Sequence, residues 1–173
     1  HHAGTGAAKT MTPYKLSPSS LTFLWDECPR CFYLQLVRGI NRPAMAFPKI
    51  FSRIDSLMKG LFTGKETALL DPALPPGRVM LQGRRVTSEV IAFPGVQAEG
   101  YIQGMFDSVL AFDDGSYAVV DFKTSSPSGE HIGFYGRQLS AYAYALEHSA
   151  FGALHLAPVT RLGLLYLDPV DIE

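Results

Sequence analysis

Cysteine is scarce in this chain of 173 residues, and long apolar runs are missing from it. Its two cysteines, Cys28 and Cys31, are too few for the disulfide framework of a small secreted domain, so a reducing cytoplasm is the expected location. No uncharged apolar run reaches the roughly 18–20 residues that a membrane-spanning helix requires, so no membrane partner is expected. Repeats of about 20–50 residues are also lacking, which excludes solenoid architectures.

The chain also lacks a large net charge of either sign. Its formal net charge is −1, from 15 Lys and Arg against 16 Asp and Glu, which by itself argues against a polybasic nucleic-acid binder. The distribution is uneven, however: residues 1–88 contain 12 basic and 5 acidic side chains, and residues 89–173 contain 3 basic and 11 acidic ones. Such an asymmetry between two halves requires a functional explanation.

The length and the composition, 47% hydrophobic and 18% charged, predict one globular domain. His1, His2 and the small residues that follow are typical of a purification tag, so residues 1–9 are expected to be disordered and residues 10–173 to form the domain. The chain ends at Glu173 directly after a strand-like segment, which leaves open that the natural protein continues.

Hydrophobic periodicity changes from helical to strand-like about halfway along the chain. Ser17 is a predicted N-cap with Pro18 at the first helical position, and further helices are predicted over residues 31–37 and 48–62. In the last of these, one apolar face is expected from Ile50, Ile54, Leu57, Met58 and Leu61.

The second half predicts one or two strands within residues 79–93 and single strands over 101–112, 116–124 and 162–167, with a helix over 133–147. This order predicts an α/β fold with a mixed central sheet flanked by helices and a helical N-terminal part.

A hairpin is predicted around the loop formed by Asp113, Asp114 and Gly115. If Gly115 adopts the left-handed conformation of a three-residue loop, Phe112 lies opposite Ser116. The same register, continued along both strands, fixes which residues face each other at the far end of the hairpin.

At that far end, Asp107 is expected directly opposite Asp121, with Lys123 on the same face one pleat along. Two carboxylates and an ammonium among apolar neighbours suggest a site for a hard divalent cation such as Mg²⁺, with the lysine beside the attacking water. The alternative is a solvent-exposed cross-strand pair of Asp and Lys, which contributes only about 0.2–1 kcal/mol.

Four motifs in order resemble the PD-(D/E)XK nuclease superfamily, in particular its RecB-type branch with the CRISPR-associated RecB-like exonucleases. The motifs are SPSSL with CPR and FYL at residues 17–34, GMFD at 104–107, VVDFKT at 119–124 and QLSAY at 138–142. The resemblance covers about residues 16–167 and implies a restriction-endonuclease-like fold.

The resemblance also implies roles for individual residues. Asp107 and Asp121 would be metal ligands with the backbone carbonyl of Phe122 as a third, and Lys123 would position the nucleophilic water. Gln138 and Tyr142, one helical turn apart, would line the active site or contact nucleic acid. Without the motif, the ordinary interpretation is a solvated Gln138 and a core aromatic at Tyr142.

The chain departs from the branch at two places. Where many members carry His or Glu on the early helix as a further metal ligand, this chain offers Asp55, which is as well explained as an i,i+4 partner of Lys59. Members with an iron–sulfur cluster use four cysteines, whereas this chain has only Cys28 and Cys31, so no such cluster is expected. We expect these two cysteines to be free and buried.

The basic residues of the first half are candidates for contact with a nucleic-acid backbone. Those selected are Arg30, Arg38, Arg53, Arg84 and Arg85. The function expected from these features is a Mg²⁺- or Mn²⁺-dependent deoxyribonuclease acting on single strands or ends, alone or with protein partners in a repair or CRISPR complex. A catalytically weak nucleic-acid-binding or assembly module on the same fold is the alternative.

Overall fold

The computed structural model describes residues 12–43, 48–124 and 129–167. The predicted tag and the last six residues lie outside these ranges. Strand β1 (Tyr14–Leu16) is followed by a π-helical turn (Ser20–Leu24) and helix α1 (Trp25–Glu27). The predicted N-cap is confirmed, because helical backbone already begins at Pro18 and the backbone N–H of Ser20 donates to Ser17 Oγ at 3.1 Å.

Helix α2 (Pro29–Arg38) begins at the two cysteines, and these form a disulfide. Cys28 is the extended N-cap residue, and its Cα lies 5.2 Å from that of Cys31, a separation within the range that a disulfide requires. The prediction of two free, buried cysteines is therefore wrong on both points, since each residue is also only half-buried.

Helix α3 (Lys49–Phe62) agrees with the predicted helix but buries a different face. The inward side chains are spaced four residues apart, so the core contact follows one inclined row of the helix surface. These inward residues are Ile54, Met58 and Phe62. Three residues of the predicted apolar face are exposed instead: Ile50, Leu57 and Leu61.

A 3-10 turn (Thr67–Leu69) leads into the strands. Three short strands stand where one or two were predicted, namely β2 (Gly77–Gln82), β3 (Arg85–Thr87) and β4 (Ile91–Ala92). The strand predicted over 101–112 is divided into β5 (Glu99–Met105) and β6 (Ser108–Phe112). The division at Phe106 and Asp107 exists because the chain leaves one sheet there and enters another.

The last elements follow the predicted order. They are β7 (Tyr117–Lys123), α4 (Gly129–Glu147) and β8 (Val159–Tyr166). In the first sheet β5 pairs with parallel β1 and with antiparallel β3 and β4, and the second sheet has the order β2-β6-β7-β8 with a parallel β7–β8 pair. The mixed α/β architecture is confirmed, although two mixed sheets replace the single predicted one.

The β6–β7 hairpin has the predicted register. Gly115 adopts a φ of 85° in the loop, and Ser108 pairs with Val120 near the other end of the ladder. Continuing this register by one residue places Asp107 opposite Asp121. The local sequence therefore sufficed to bring the two carboxylates together.

The second sheet lies between two apolar clusters. Helix α4 packs on the face that carries Val109 and Val119, and α3 packs on the face that carries Leu110 and Val120. Because side chains alternate along β7, Asp121 shares the α4 face with Val119. Within the described ranges, no helix has the length and apolar character needed to cross a membrane.

Candidate metal and catalytic site

Asp107 lies at the junction of the two sheets, between β5 and β6. Phe106, 1% exposed, anchors this junction in the core, and the N–H of Gly83 donates to the backbone carbonyl of Asp107 at 2.9 Å. The carboxylate is held from two sides. Its Oδ2 accepts the backbone N–H of Phe122 at 3.0 Å, and its Oδ1 lies 3.0 Å from the ammonium of Lys59.

Asp121 is buried, and its carboxyl group is in hydrogen-bond contact with that of Asp107. Burial, together with this contact, raises the pKa of Asp121 to about 6. Burial acts in the same direction on Asp107, but hydrogen bonds from Asp121, Phe122 and Lys59 outweigh it and hold the pKa of Asp107 below its ordinary value. The pair therefore holds its first negative charge readily and its second only at higher pH.

Lys123 lies on the same face of β7 as Asp121, as the strand alternation predicts. Its ammonium contacts Asp121 Oδ2 and lies 4.1 Å from the centroid of the Tyr135 ring. That ring packs edge-on against Phe23 with 5.4 Å between centroids. The sequence did not lead us to predict the contact of Tyr135 with Lys123. Tyr135 precedes Gln138 by three residues on α4, so the two side chains lie on the same face of the helix.

Tyr142 connects α4 to the strand that leads into Asp107. It is a core residue, and its hydroxyl donates to the backbone carbonyl of Met105 at 2.8 Å. Burial raises the pKa of Tyr142, so the hydroxyl stays protonated near neutral pH. The ordinary interpretation of Tyr142 as a core aromatic therefore holds, and the same side chain also supports the junction.

Gln138 lies one turn before Tyr142 and is in hydrogen-bond contact with it. Gln138 is buried, so the interpretation of a solvated residue is wrong. Its Oε1 has no hydrogen-bond partner within the part of the chain that the structure describes. Because an unpaired buried acceptor is costly, such an atom is expected where a ligand or an ordered water completes the bond.

Asp55 is paired with Lys59, the alternative that the sequence left open. The two charged groups on α3 are 2.8 Å apart, and the same ammonium reaches Asp107. Burial acts to lower the pKa of Lys59, but the bonds to both carboxylates outweigh it and raise that pKa. Sequence reasoning did not assign Lys59 to the site, although its i,i+4 spacing from Asp55 was visible.

The backbone of Phe122 faces the junction. Its N–H donates to Asp107 Oδ2, and in an extended strand the N–H and C=O of one residue point to the same side. The carbonyl of Phe122 therefore points to the same side of β7 as this N–H. Its role as a metal ligand stays a prediction.

The chemistry of these donors suits a hard divalent cation such as Mg²⁺ or Mn²⁺, which prefers carboxylate and carbonyl oxygens. Such an ion would offset the burial and the neighbouring Asp107 carboxyl group that together raise the pKa of Asp121. Among the residues that the structure describes, no group of three His, Cys, Asp or Glu side chains is placed to hold a metal. Backbone oxygens, water and a substrate phosphate would have to complete the coordination.

The arginines selected from the sequence occupy three places. The backbone carbonyl of Arg84 accepts a hydrogen bond from the N–H of Phe106, and Arg85 pairs with Met105 between β3 and β5. Both arginines therefore lie beside the junction, and their side chains are exposed. Arg53 is exposed on α3. The other two, Arg30 and Arg38, are exposed on α2, which packs against α1, β1 and the π-helical turn.

A comparison with protein-family models matches residues 77–171 to the PD-(D/E)XK nuclease superfamily. The match spans more than half of the chain and includes the carboxylate pair, Lys123, Gln138 and Tyr142. The chain therefore belongs to this superfamily, and its two mixed sheets flanked by helices agree with the restriction-endonuclease-like fold. A search of the curated proteins finds no match.

Proposed function

We propose that the chain is a Mg²⁺- or Mn²⁺-dependent deoxyribonuclease of the RecB-type branch, similar to the CRISPR-associated RecB-like exonucleases. Membership of the superfamily suggests nuclease activity. The observation that carries the proposal is the carboxyl pair formed by buried Asp121 and half-buried Asp107, with Lys123 in contact with Asp121. A packed core gains nothing from two adjacent carboxyl groups unless a cation or a substrate uses them.

Different residues of the site have different proposed roles in the reaction. A divalent ion held by Asp107, Asp121 and the carbonyl of Phe122 would supply an activated water and neutralise phosphate charge. Lys123 would orient the attacking water and offset the charge that develops on the phosphate. Gln138 would accept a hydrogen bond from the substrate or from a water through its unpaired Oε1.

Single strands or DNA ends are the proposed substrate. Phe134 is 40% exposed next to Tyr135, and its ring lies 5.8 Å from that of Phe23, so an accessible base could stack beside Lys123. Arg84 and Arg85 would contact the phosphates next to the junction. Bases are free to stack in this way only where they are not paired.

The proposal is tested by replacing two residues of the site and measuring the cleavage of labelled single-stranded DNA with Mg²⁺ or Mn²⁺. Asp121→Asn and Lys123→Met should each lower the rate by about 100-fold or more, the usual effect of losing one such group. Asp113→Asn and Lys65→Met are matched controls, because both residues are exposed and lie outside the site. Cleavage at the control rate by both site variants would overturn the proposal.

A catalytically weak nucleic-acid-binding module on the same fold is the second candidate. The observation that favours it is the lack of a third metal-binding side chain within the described ranges. Calorimetric titration separates the two candidates. Binding of single-stranded DNA without any binding of Mn²⁺ favours the module, and binding of both favours the nuclease.

We further propose a cytoplasmic site of action, with protein partners in DNA repair, recombination or CRISPR processing. The low cysteine content supports this location.

A further inference from the structure

Lys59 joins two carboxylates that come from different elements. Its Nζ lies 2.8 Å from Asp55 Oδ2 on the same helix and 3.0 Å from Asp107 Oδ1 at the sheet junction. The side chains of Lys59 and Asp107 are each only 23% exposed. This arrangement is therefore a partly buried cluster of three charges, which solvent screens less than an exposed pair.

The two oxygens of Asp107 face two different neighbours. Oδ2 accepts the backbone N–H of Phe122 on β7, the strand that also carries Asp121, whereas Oδ1 faces α3 and Lys59. A metal ion shared by Asp107 and Asp121 would use the β7 side. An ion shared by Asp107 and Asp55 would need the space that the ammonium of Lys59 fills.

We infer that Lys59 takes the place of a second divalent cation, so that the site binds one metal ion, and that Asp55 is the partner of Lys59 and not a metal ligand. This inference rests on the proposed function, because it requires a metal ion on the carboxyl pair. Two-metal sites place a second ion about 3.5–4 Å from the first, commonly on a shared carboxylate. Here the shared carboxylate would be Asp107, and its Oδ1, which would face the second ion, already contacts the ammonium of Lys59.

The electrostatics of the cluster lead to the same stoichiometry. Lys59 brings one positive charge to the α3 side of Asp107, and Asp55 balances it. A divalent ion added there would have to displace the ammonium and overcome its repulsion. Without Lys59, Asp55 and Asp107 would face each other as two carboxylates, the arrangement that attracts a divalent ion.

The inference is tested by counting the Mn²⁺ ions bound to the full chain, from the electron paramagnetic resonance signal of free Mn²⁺ and from low-temperature spectra that detect coupled ions. The wild type should bind one ion without Mn–Mn coupling. Lys59→Met should bind two coupled ions, and adding Asp55→Asn to Lys59→Met should return the count to one. Lys49→Met, at the exposed start of the same helix, is the matched control and should bind one ion.

Three results would overturn the inference: two ions in the wild type, a single ion in a folded Lys59→Met chain, or a loss of affinity in Asp55→Asn well beyond the roughly 10–100-fold that a residue supporting a ligand contributes. The Asp55→Asn measurement decides the matter if Lys59→Met does not fold. A wild type that binds no Mn²⁺ would contradict the proposed function itself. Two ions in the wild type would contradict only the role of Lys59.

Discussion

Gly104 leaves room for two side chains that approach β5 from distant parts of the chain. A Cβ at this position would lie 2.8 Å from Pro18 Cδ and 3.0 Å from Tyr142 Cε1. Both separations are shorter than ordinary van der Waals distances. The glycine of the GMFD motif therefore allows α4 and the N-terminal segment to pack closely on β5 just before Asp107.

Gly104→Ala should lower the free energy of unfolding by about 1–3 kcal/mol, the cost of overpacking a core position. Urea denaturation of the metal-free chain measures the change. Gly136→Ala is the matched control on α4, because a Cβ there meets nothing within 4 Å, and it should stabilise the helix by about 0.5–1 kcal/mol. Equal effects of the two substitutions would contradict the packing explanation.

Asp121 should make metal affinity depend on pH. Its pKa of about 6 lies above the ordinary 3.8, so at lower pH the carboxyl group holds a proton that the metal ion must displace. Mn²⁺ affinity, measured by calorimetry, should be nearly constant above about pH 7 and fall by up to about tenfold for each pH unit below 6. An affinity independent of pH between about 5 and 7 would contradict this linkage.

The same pKa shift has the opposite sign for the stability of the metal-free fold. A folded-state pKa above the unfolded value means that protonation of Asp121 favours the fold. This contribution is fully present below about pH 3.8 and is lost as the pH rises through about 6.

Helix α3 serves both the core and the site, through neighbouring residues. Met58 is 5% exposed and packs against the second sheet, and the next residue, Lys59, reaches Asp107. The position of the ammonium therefore depends on how the preceding side chain packs. Leu57, on the other side of Met58, is 64% exposed.

Met58→Ala should lower the free energy of unfolding by about 2–5 kcal/mol, because it leaves a cavity in the cluster between α3 and the sheet. Leu57→Ala should change it by no more than about 0.5 kcal/mol. Thermal or urea unfolding of the two variants compares adjacent positions of one helix. A larger loss for Leu57→Ala would show that α3 is packed by its other face.

For the whole molecule, the near-neutral net charge combines two regions of opposite sign. The acidic half contributes the carboxyl pair on the β6–β7 hairpin, and the basic half contributes Lys59, Arg84 and Arg85 beside it. The fold brings these groups to one junction. A small net charge therefore does not argue against DNA as the partner, since local charge governs phosphate binding.

Replacing Arg84 and Arg85 together by Ala should weaken the binding of single-stranded DNA and reduce its salt dependence. The slope of log K against log salt should become shallower by about 0.7 for each phosphate that the variant no longer neutralises. Arg161→Ala is the matched control, because Arg161 is exposed near Asp114 at the other end of the hairpin. Fluorescence anisotropy across a salt series measures the DNA affinity of the wild type and of both variants. Equal slopes for all three would exclude Arg84 and Arg85 as part of the DNA-binding surface.

The sequence by itself determined the β6–β7 hairpin and which residues of its two strands lie opposite each other. A glycine loop and the alternation of a strand are local properties, so the register that sets Asp107 opposite Asp121 and beside Lys123 followed from short-range geometry. The N-cap at Ser17 followed from the same kind of local chemistry.

Only the tertiary structure decided which distant groups complete the site. From the sequence, Asp55 is equally suited to a metal or to Lys59, and it is the packing of α3 on the sheet, through Met58, that brings the Lys59 ammonium to both Asp55 and Asp107. The burial of Gln138 and the division of the strand at Asp107 likewise depend on packing between layers. The physical reason is that the burial of a side chain depends on which distant segments pack against it. The hydrophobic periodicity of a segment indicates only its own secondary structure and its apolar face.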